Sequence, residues 1–516
     1  MLITDKEQLK QYHADYRIWQ GIPGIEVTKK GRIFSAFYSG DMTETIGNYV
    51  VLLKSDDGIN FGEPIAAVYK ENARCFDECI WIDPLGRLWL IWALYPDFDS
   101  KTGDNHGTYA VICEDPDADE LVWGEEFFVG YDIMLNKPTV LSTGEWLFPI
   151  SVWGERVWSW MPCRRTTQKE LGAFVYQSCN QGKTFEKIGG LVHPDHAYDE
   201  HWIVEKEDGT LAMYTRIMQG VGLSYSYDRG RTWTDGVDSG LGGPNSKACI
   251  RKLNSGRWLL VNHYEYTGRD HMTAMLSEDE GKTWPYKLLL DEREQVSYPD
   301  MVETEDGFLY ITYDRERGCA KRSLEEACAD AREILYAKIT EEDIIAGKLV
   351  NPESKMKQII SKLGEYRGDK EFFENPIRET ELVRYFIQFP NEELPQRIFH
   401  YFHGWERVVD GEVGKQVDEY FDALETSEER SGTLLSMFYL LQYKTRREEY
   451  SVVEPIRDEI LKTLDVDVDA FALAERMGVS RYWLKYRFEK ETKISVEEYQ
   501  KTLRKVESAK KDKFVL

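Results

Sequence analysis

Basic charge is in short supply in this chain. Against 91 Asp and Glu it carries 65 Lys and Arg, a formal net charge of −26. A field of that sign repels polyanions, and non-specific nucleic-acid binding depends on basic patches that release counterions, so nucleic acid is not an expected partner. Long apolar runs are missing as well. None approaches the roughly 18 residues of a membrane-spanning helix, so no membrane partner is expected. The opening Met1-Leu2-Ile3-Thr4-Asp5-Lys6 lacks the basic-then-apolar order of a secretion signal, and a cytoplasmic location is the expectation. Cysteine is sparse: eight residues, no CxxC pair, and only Cys75 and Cys79 close together, with no histidine beside them. Reduced thiols are expected, not a disulfide framework or a zinc site. No acidic turn has the spacing of a calcium loop. Neither metal nor cofactor is therefore expected.

What the chain does have is length, aromatic rings and turns. At 516 residues and 42% hydrophobic content it can bury two or three domain cores. Fifteen Trp and thirty Tyr suit many short, twisted strands. Up to about residue 345, short apolar runs alternate with turns of the type DG, LG, TG or SG. Six such units stand out, at 21–38, 79–94, 136–153, 199–233, 246–264 and 297–317. Related octapeptides follow two of these units and close a third: SCNQGKTF from Ser178 after 136–153, SYDRGRTW from Ser226 at the end of 199–233 and SEDEGKTW from Ser277 after 246–264; a shortened relative, KSDDGINF, starts at Lys54. From Ser178 to Ser226 is 48 residues and from there to Ser277 is 51, the period of a four-stranded propeller blade. The expected fold is mainly β, a six-bladed propeller over residues 1–345. Past Thr340 the texture changes. EEDIIAGKLVNPES from Glu341 reads as a short helical exit, and from 350 to 516 apolar residues recur at three- and four-residue spacing, as in Glu381–Phe389, so this part is expected to be α-helical.

The octapeptide Ser226–Trp233 matches SxDxGxTW, the Asp-box of sialidase-like propellers, and across residues 20–340 the chain resembles sialidases (neuraminidases) more widely. The Asp-box is structural: its Ser and Asp bond local backbone amides and its Gly takes a turn conformation. What the resemblance implies for chemistry lies elsewhere. Sialidases are six-bladed propellers with a Tyr nucleophile, a Glu that activates it, an Asp acid/base and three arginines that clamp the substrate carboxylate. A neutral phenol suits an anomeric carbon that itself bears a carboxylate, because a carboxylate nucleophile would meet like-charge repulsion there. By this resemblance Glu200 is the activating Glu and Arg216, sixteen residues on, the second arginine. Arg269, in EYTGRDHM, is then the third arginine, and Tyr298, in SYPDM, the nucleophile. The loop SGDMTETIGN offers Asp41 as acid/base, with Glu44 as the other candidate. One position departs from the pattern. Where the family reads Arg-Ile-Pro, this chain reads Gly21-Ile22-Pro23, and Arg17 or Arg74 is the candidate replacement.

Other polar residues flank the unit starts: Asp77, Glu78, Asn245, Glu265 and Arg315. Lys137 at a pocket floor could hold a carboxylate as a point charge, and His263 could act as acid/base near neutral pH. The expected function is an exo-acting glycosidase releasing a terminal acidic sugar from a small oligosaccharide or glycoside. Two alternatives stay open: a sialidase-fold enzyme for a uronic acid or rhamnose-type end, by hydrolysis or by elimination involving His263, and a non-catalytic propeller that binds glycan or protein. Finally, Val468–Ala509 resembles one helix-turn-helix unit of the arabinose-regulator type, with Gly478 in the turn, Ser480 as cap and Arg481, Lys485 and Arg487 on the second helix. That family pairs two such units, and with one unit in so acidic a chain the tail is expected to pack or to mediate homo-oligomer formation.

Overall fold

The computed structural model describes residues 1–40, 44, 47–71, 73–96, 106–153, 168, 170–218, 220–263, 268–318, 324–368, 453–462, 464, 473, 488, 492 and 494–511. The chain divides into two compact units, the first comprising 1–158, 163–319 and 324–368.

That first unit is a ring of six antiparallel sheets. Blade 1 holds β1 (Leu2–Ile3), β2 (Trp19–Val27), β3 (Ile33–Gly40), β4 (Tyr49–Ser55) and β5 (Ala66–Val68), in the order β1-β5-β4-β3-β2. Blade 2 is β6 (Ala73–Ile82), β7 (Leu88–Pro96), β8 (Gly107–Cys113) and β9 (Phe127–Tyr131). Blade 3 is β10 (Thr139–Val140), β11 (Trp146–Val152), β12 (Gly172–Ser178) and β13 (Glu186–Leu191). Blade 4 is β14 (His196–Glu205), β15 (Leu211–Ile217), β16 (Val221–Ser226) and β17 (Val237–Asp238). Blade 5 is β18 (Cys249–Lys252), β19 (Trp258–Asn262), β20 (Met272–Ser277) and β21 (Tyr286–Asp291). Blade 6 is β22 (Val296–Glu303), β23 (Phe308–Arg315), β24 (Glu333–Thr340) and β25 (Lys355–Lys362). The six-bladed propeller read from the repeat spacing is thus the fold. Its last strand lies further along than expected: the sixth sheet ends at Lys362, not near 345. The short helix Glu341–Ala346, capped by Thr340 at one end and by left-handed Gly347 at the other, sits between β24 and β25.

The core lies between neighbouring blades. Trp81, Trp89, Trp146 and Phe148 fill the space between blades 2 and 3. Trp258, Leu260, Met275, Ile311 and Leu335 belong to one cluster that runs through blades 4, 5 and 6. Blades 1 and 6 close the ring through Ile25, Phe37, Val302, Ile334 and Ile360. Polar bonds pin that seam: the amides of Ile22 and Ile25 donate to Asp314 (2.7 Å) and Asp300 (3.0 Å) of blade 6. Buried Gln20 donates to the Arg332 carbonyl at 2.7 Å.

All four box-like segments fold alike, between the third and fourth strands of their blades. In the box of blade 4 the Ser226 hydroxyl accepts the Gly230 amide at 2.8 Å, and Asp228 accepts the amides of Arg231 (3.1 Å) and Thr232 (2.8 Å). Left-handed backbone at Arg229 and Gly230 makes the turn, and the Trp233 indole donates to the Gly230 carbonyl. Ser277 and Asp279 repeat the pattern, as do Ser55 with Asp57 and Ser178 with Asn180, whose amide oxygen replaces the carboxylate.

In the second unit the described helices are Val453–Lys462 and Val496–Lys511. Ile456 and Ile460 are buried on the first, and Tyr499 and Leu503 on the second. Most of the helix-turn-helix segment, including Arg481, Lys485 and Arg487, lies outside the described residues. Among the described residues no helix is long and apolar enough to cross a membrane.

Candidate active site

Strand direction decides where polar groups gather. The hairpins between first and second strands and the Asp-boxes between third and fourth lie at one end of each blade. The starts of first strands and the ends of second strands therefore lie at the other end. There, four inner strands break register: β2 between Gly21 and Gly24, β6 between Phe76 and Cys79, β14 around Asp199, and β22 between Ser297 and Asp300. At each break a residue other than glycine takes positive φ: Ile22 (61°), Asp77 (45°), Asp199 (60°) with Glu200 (36°), and Tyr298 (55°). Such conformations are costly for side chains of this size and cluster where a bulge re-aims a side chain.

Three of the expected residues meet through these bulges. The Tyr298 hydroxyl donates to Glu200 Oε1 at 3.0 Å. Arg216, near the end of β15, donates through Nη1 to both Glu200 oxygens at 2.8 Å and to the Tyr298 oxygen at 2.5 Å. The hairpin brings Glu200 and Arg216 together, because Asp199 pairs directly with Arg216 in the ladder. Asn245 orients the guanidinium, its side-chain oxygen accepting from Nε at 2.6 Å and its carbonyl from Nη2 at 3.1 Å. The same carbonyl accepts from Arg269 Nη2 at 3.1 Å, so one residue holds both arginines side by side. The Tyr198 ring lies 4.0 Å from the Arg216 guanidinium.

Tyr298 and Glu200 are both buried, and Arg216 shows only 5% of its side chain. Burial pushes the Tyr298 phenol well above its ordinary range; Arg216 pulls it back, Glu200 adds to the rise, and Arg269 and Arg317 pull it back again. The phenol therefore keeps its proton at neutral pH and donates it in the hydrogen bond to Glu200. Asp77, whose carboxyl shares its surroundings with Arg74, Glu200, Glu44 and Arg317, is pushed up to about 8 by burial. Glu44 is held below the ordinary value because Arg74, Arg317 and Arg269 outweigh its burial.

The remaining expectations are met unevenly. Arg74 lies beside the cluster, donating to Asn48 (3.0 Å), Tyr38 (3.0 Å) and Glu44 (3.3 Å). Arg17 is buried elsewhere, against Phe37 and Ser361, and does not stand in for the arginine missing at Gly21. Lys137 is not a spare point charge: fully buried, it bonds the Ile25 carbonyl, Glu26 at 2.7 Å and Asp300 at 3.2 Å, tying blades 1, 3 and 6. His263 does not titrate near neutrality. Burial pushes it down to about 4, and its Nε2 sits 2.7 Å from the Val296 carbonyl. Asp41 and Glu265 lie outside the described residues.

One group at the site has no counterpart in the expectations. Arg317, two residues past β23, has its guanidinium 4.4 Å from the centre of the Tyr298 ring, where Arg269 stands at 5.3 Å and Arg216 at 5.8 Å. It donates to Asp314 at 2.8 Å and Ser297 at 3.0 Å and reaches Glu44 at 3.5 Å. The signal that could have exposed it is the glycine at 21, which leaves room for a side chain from another blade.

The profile of the BNR repeat-like domain family matches residues 63–311, from the fourth strand region of blade 1 into β23. No curated protein matches the sequence. Among solved structures, the Hadza microbial sialidase Hz136 is 20% identical with a TM-score of 0.45, over 58% of this chain and 64% of that one. The NanB sialidase of Streptococcus pneumoniae is 13% identical with a TM-score of 0.46, over 59% of this chain and 66% of that one. A leech intramolecular trans-sialidase, solved with 2,7-anhydro-Neu5Ac, is 14% identical with a TM-score of 0.46, over 65% and 70% respectively. This chain thus spans less than two thirds of the length of Hz136 and of NanB.

Proposed function

We propose that the propeller is an exo-acting glycoside hydrolase that releases a terminal acidic sugar of the sialic acid type with retention of configuration. The observation that carries this reading is the Tyr298–Glu200 hydrogen bond of 3.0 Å, set among the guanidiniums of Arg216 and Arg269. In the proposed reaction Arg216 and Arg269 hold the sugar carboxylate by charge-assisted hydrogen bonds. The Tyr298 oxygen bonds to the anomeric carbon as the bond to the leaving oxygen breaks, and the phenolic proton passes to Glu200. The leaving oxygen takes a proton from an acid, a role proposed for Asp41 from its place in the sequence. Water then attacks the anomeric carbon as its bond to the tyrosine oxygen breaks; the water proton passes to the acid that had protonated the leaving oxygen, and the tyrosine recovers its own proton from Glu200. Tyrosine in this role is a recognised departure from the two-carboxylate scheme of most glycosidases.

An elimination route through His263 is disfavoured by that residue's neutral, carbonyl-bonded state. The chain beyond Gly368 is proposed to form a separate helical unit that serves packing or self-association and not DNA binding; deleting it should change oligomeric state and remove no salt-sensitive duplex binding. The hydrolase reading is tested by incubating the purified full-length chain with aryl α-glycosides of sialic acids, uronic acids and neutral sugars. Release from the sialic acid glycoside with the α-anomer as first product supports it. Release confined to neutral glycosides contradicts it.

A further inference from the structure

We propose that Arg317 is the third carboxylate-binding cation of this site, delivered from blade 6, and that Gly21 is the residue that makes room for it. The inference rests on the acidic-sugar reading above. A Cβ built on Gly21 would lie 2.7 Å from Arg317 Cδ, 2.8 Å from Nε and 2.9 Å from Cγ. Side-chain atoms do not approach so closely, so any side chain at 21 and the present course of Arg317 exclude each other. The space that an arginine on β2 would claim is filled by an arginine arriving across the ring closure.

The way Arg317 is held suits ligand binding. Its Nε donates to Asp314, whose carboxylate is itself fixed by the Ile22 amide and the Ser297 hydroxyl. One N–H of Nη2 goes to Ser297, and Nη1 makes a long contact with Glu44. A guanidinium has five N–H donors, so among the described residues one is left without an acceptor on each terminal nitrogen, and two such donors can grip a carboxylate in a fork. Arg317 also shares the Tyr298 ring with Arg216 and Arg269. Blades 4 and 6 contribute in the same way, since Arg216 and Arg317 both come from where a second strand ends. Serving only to seal the ring would require Asp314 and Ser297 alone; it would not require the fork to lie against the nucleophile candidate.

The test compares binding of a sialic acid methyl α-glycoside with binding of its carboxamide, by calorimetry, in the full-length Tyr298→Phe chain. Tyr298→Phe keeps the ring and is expected to slow turnover by about 10²–10⁴-fold, so that binding can be read. We expect the carboxylate to be preferred, and Arg317→Ala to reduce that preference by about 10- to 100-fold, the value of a charge-assisted hydrogen bond. Arg317→Lys, which keeps the charge and the fold but loses the fork, should reduce it less. Gly21→Arg combined with Arg317→Ala should restore most of it by returning the cation to β2. The proposal is overturned if the background shows no carboxylate preference, or if Arg317→Lys and Arg317→Ala leave the preference unchanged. If Arg317→Ala does not fold, Arg317→Lys and the double variant decide by the same criterion. Should the wild-type chain turn over no acidic glycoside while carboxylate preference still depends on Arg317, the hydrolase reading fails and this inference stands.

Discussion

Glu200 and Tyr298 come from blades 4 and 6, 98 residues apart in sequence, and share a hydrogen bond of 3.0 Å at two bulges with left-handed backbone. Arg216 bonds both partners. A buried carboxylate, a buried phenol and a cation are thereby locked into one unit, and each can be perturbed separately.

The ion pair can be weighed by urea unfolding. Arg216 and Glu200 expose 5% and 2% of their side chains. Removing one partner of a buried pair leaves an uncompensated charge, so Arg216→Met should cost about 3–5 kcal/mol. Arg216→Met combined with Glu200→Gln should cost less than Arg216→Met alone. If the double variant is the less stable of the two, Glu200 is not relying on Arg216 for its charge balance.

Asp77 makes stability depend on pH. Its folded value is raised from 3.8 to about 8, so the folded chain keeps a proton that the unfolded chain has already lost. That contribution to stability is complete below the unfolded value and is lost as pH rises, at up to about 1.4 kcal/mol per pH unit per proton. Asp77→Asn should remove it. The stability difference, wild type minus variant, should therefore fall between pH 5 and pH 8 and then level off. A difference that does not change over that window would show that Asp77 titrates normally.

The Asp-boxes predict an asymmetry between two neighbouring positions. Ser226 is fully buried and its oxygen accepts the Gly230 amide, so Ser226→Ala should cost about 1–3 kcal/mol for the stranded donor. Asp228→Asn should cost under about 1 kcal/mol, because Asn180 makes the same amide contacts in blade 3. Equal losses at the two positions would contradict this view of the turn.

What could be read from the sequence follows the distance over which each feature is determined. The Asp-boxes are local turns whose spacing implied the length of a blade, and the six strand-turn-strand units implied their number. Glu200 and Arg216 belong to one hairpin, so their separation in sequence already implied that they meet. Arg269 and Tyr298 were expected at the site from the resemblance of their segments and their order along the chain. Arg317 was not, because its place depends on the closure of blade 6 onto Gly21, a contact between opposite ends of the propeller. Lys137 misled for the same reason: its neutralising partners Glu26 and Asp300 lie 111 residues before and 163 after it. The strand Lys355–Lys362 was missed because a capped helix precedes it and no turn signal of the type found in other blades announces it.

The central claim is that Tyr298 is the group that attacks, with Glu200 taking its proton. The measurement that tests it most directly is steady-state turnover of an aryl sialic acid α-glycoside by Tyr298→Phe beside the wild-type chain, with ligand affinity recorded for both. Losing the nucleophile and its proton transfer should lower kcat by about 10²–10⁴-fold and leave the affinity nearly unchanged, because the ring and the three surrounding guanidiniums remain. Wild-type kcat in Tyr298→Phe would contradict the account.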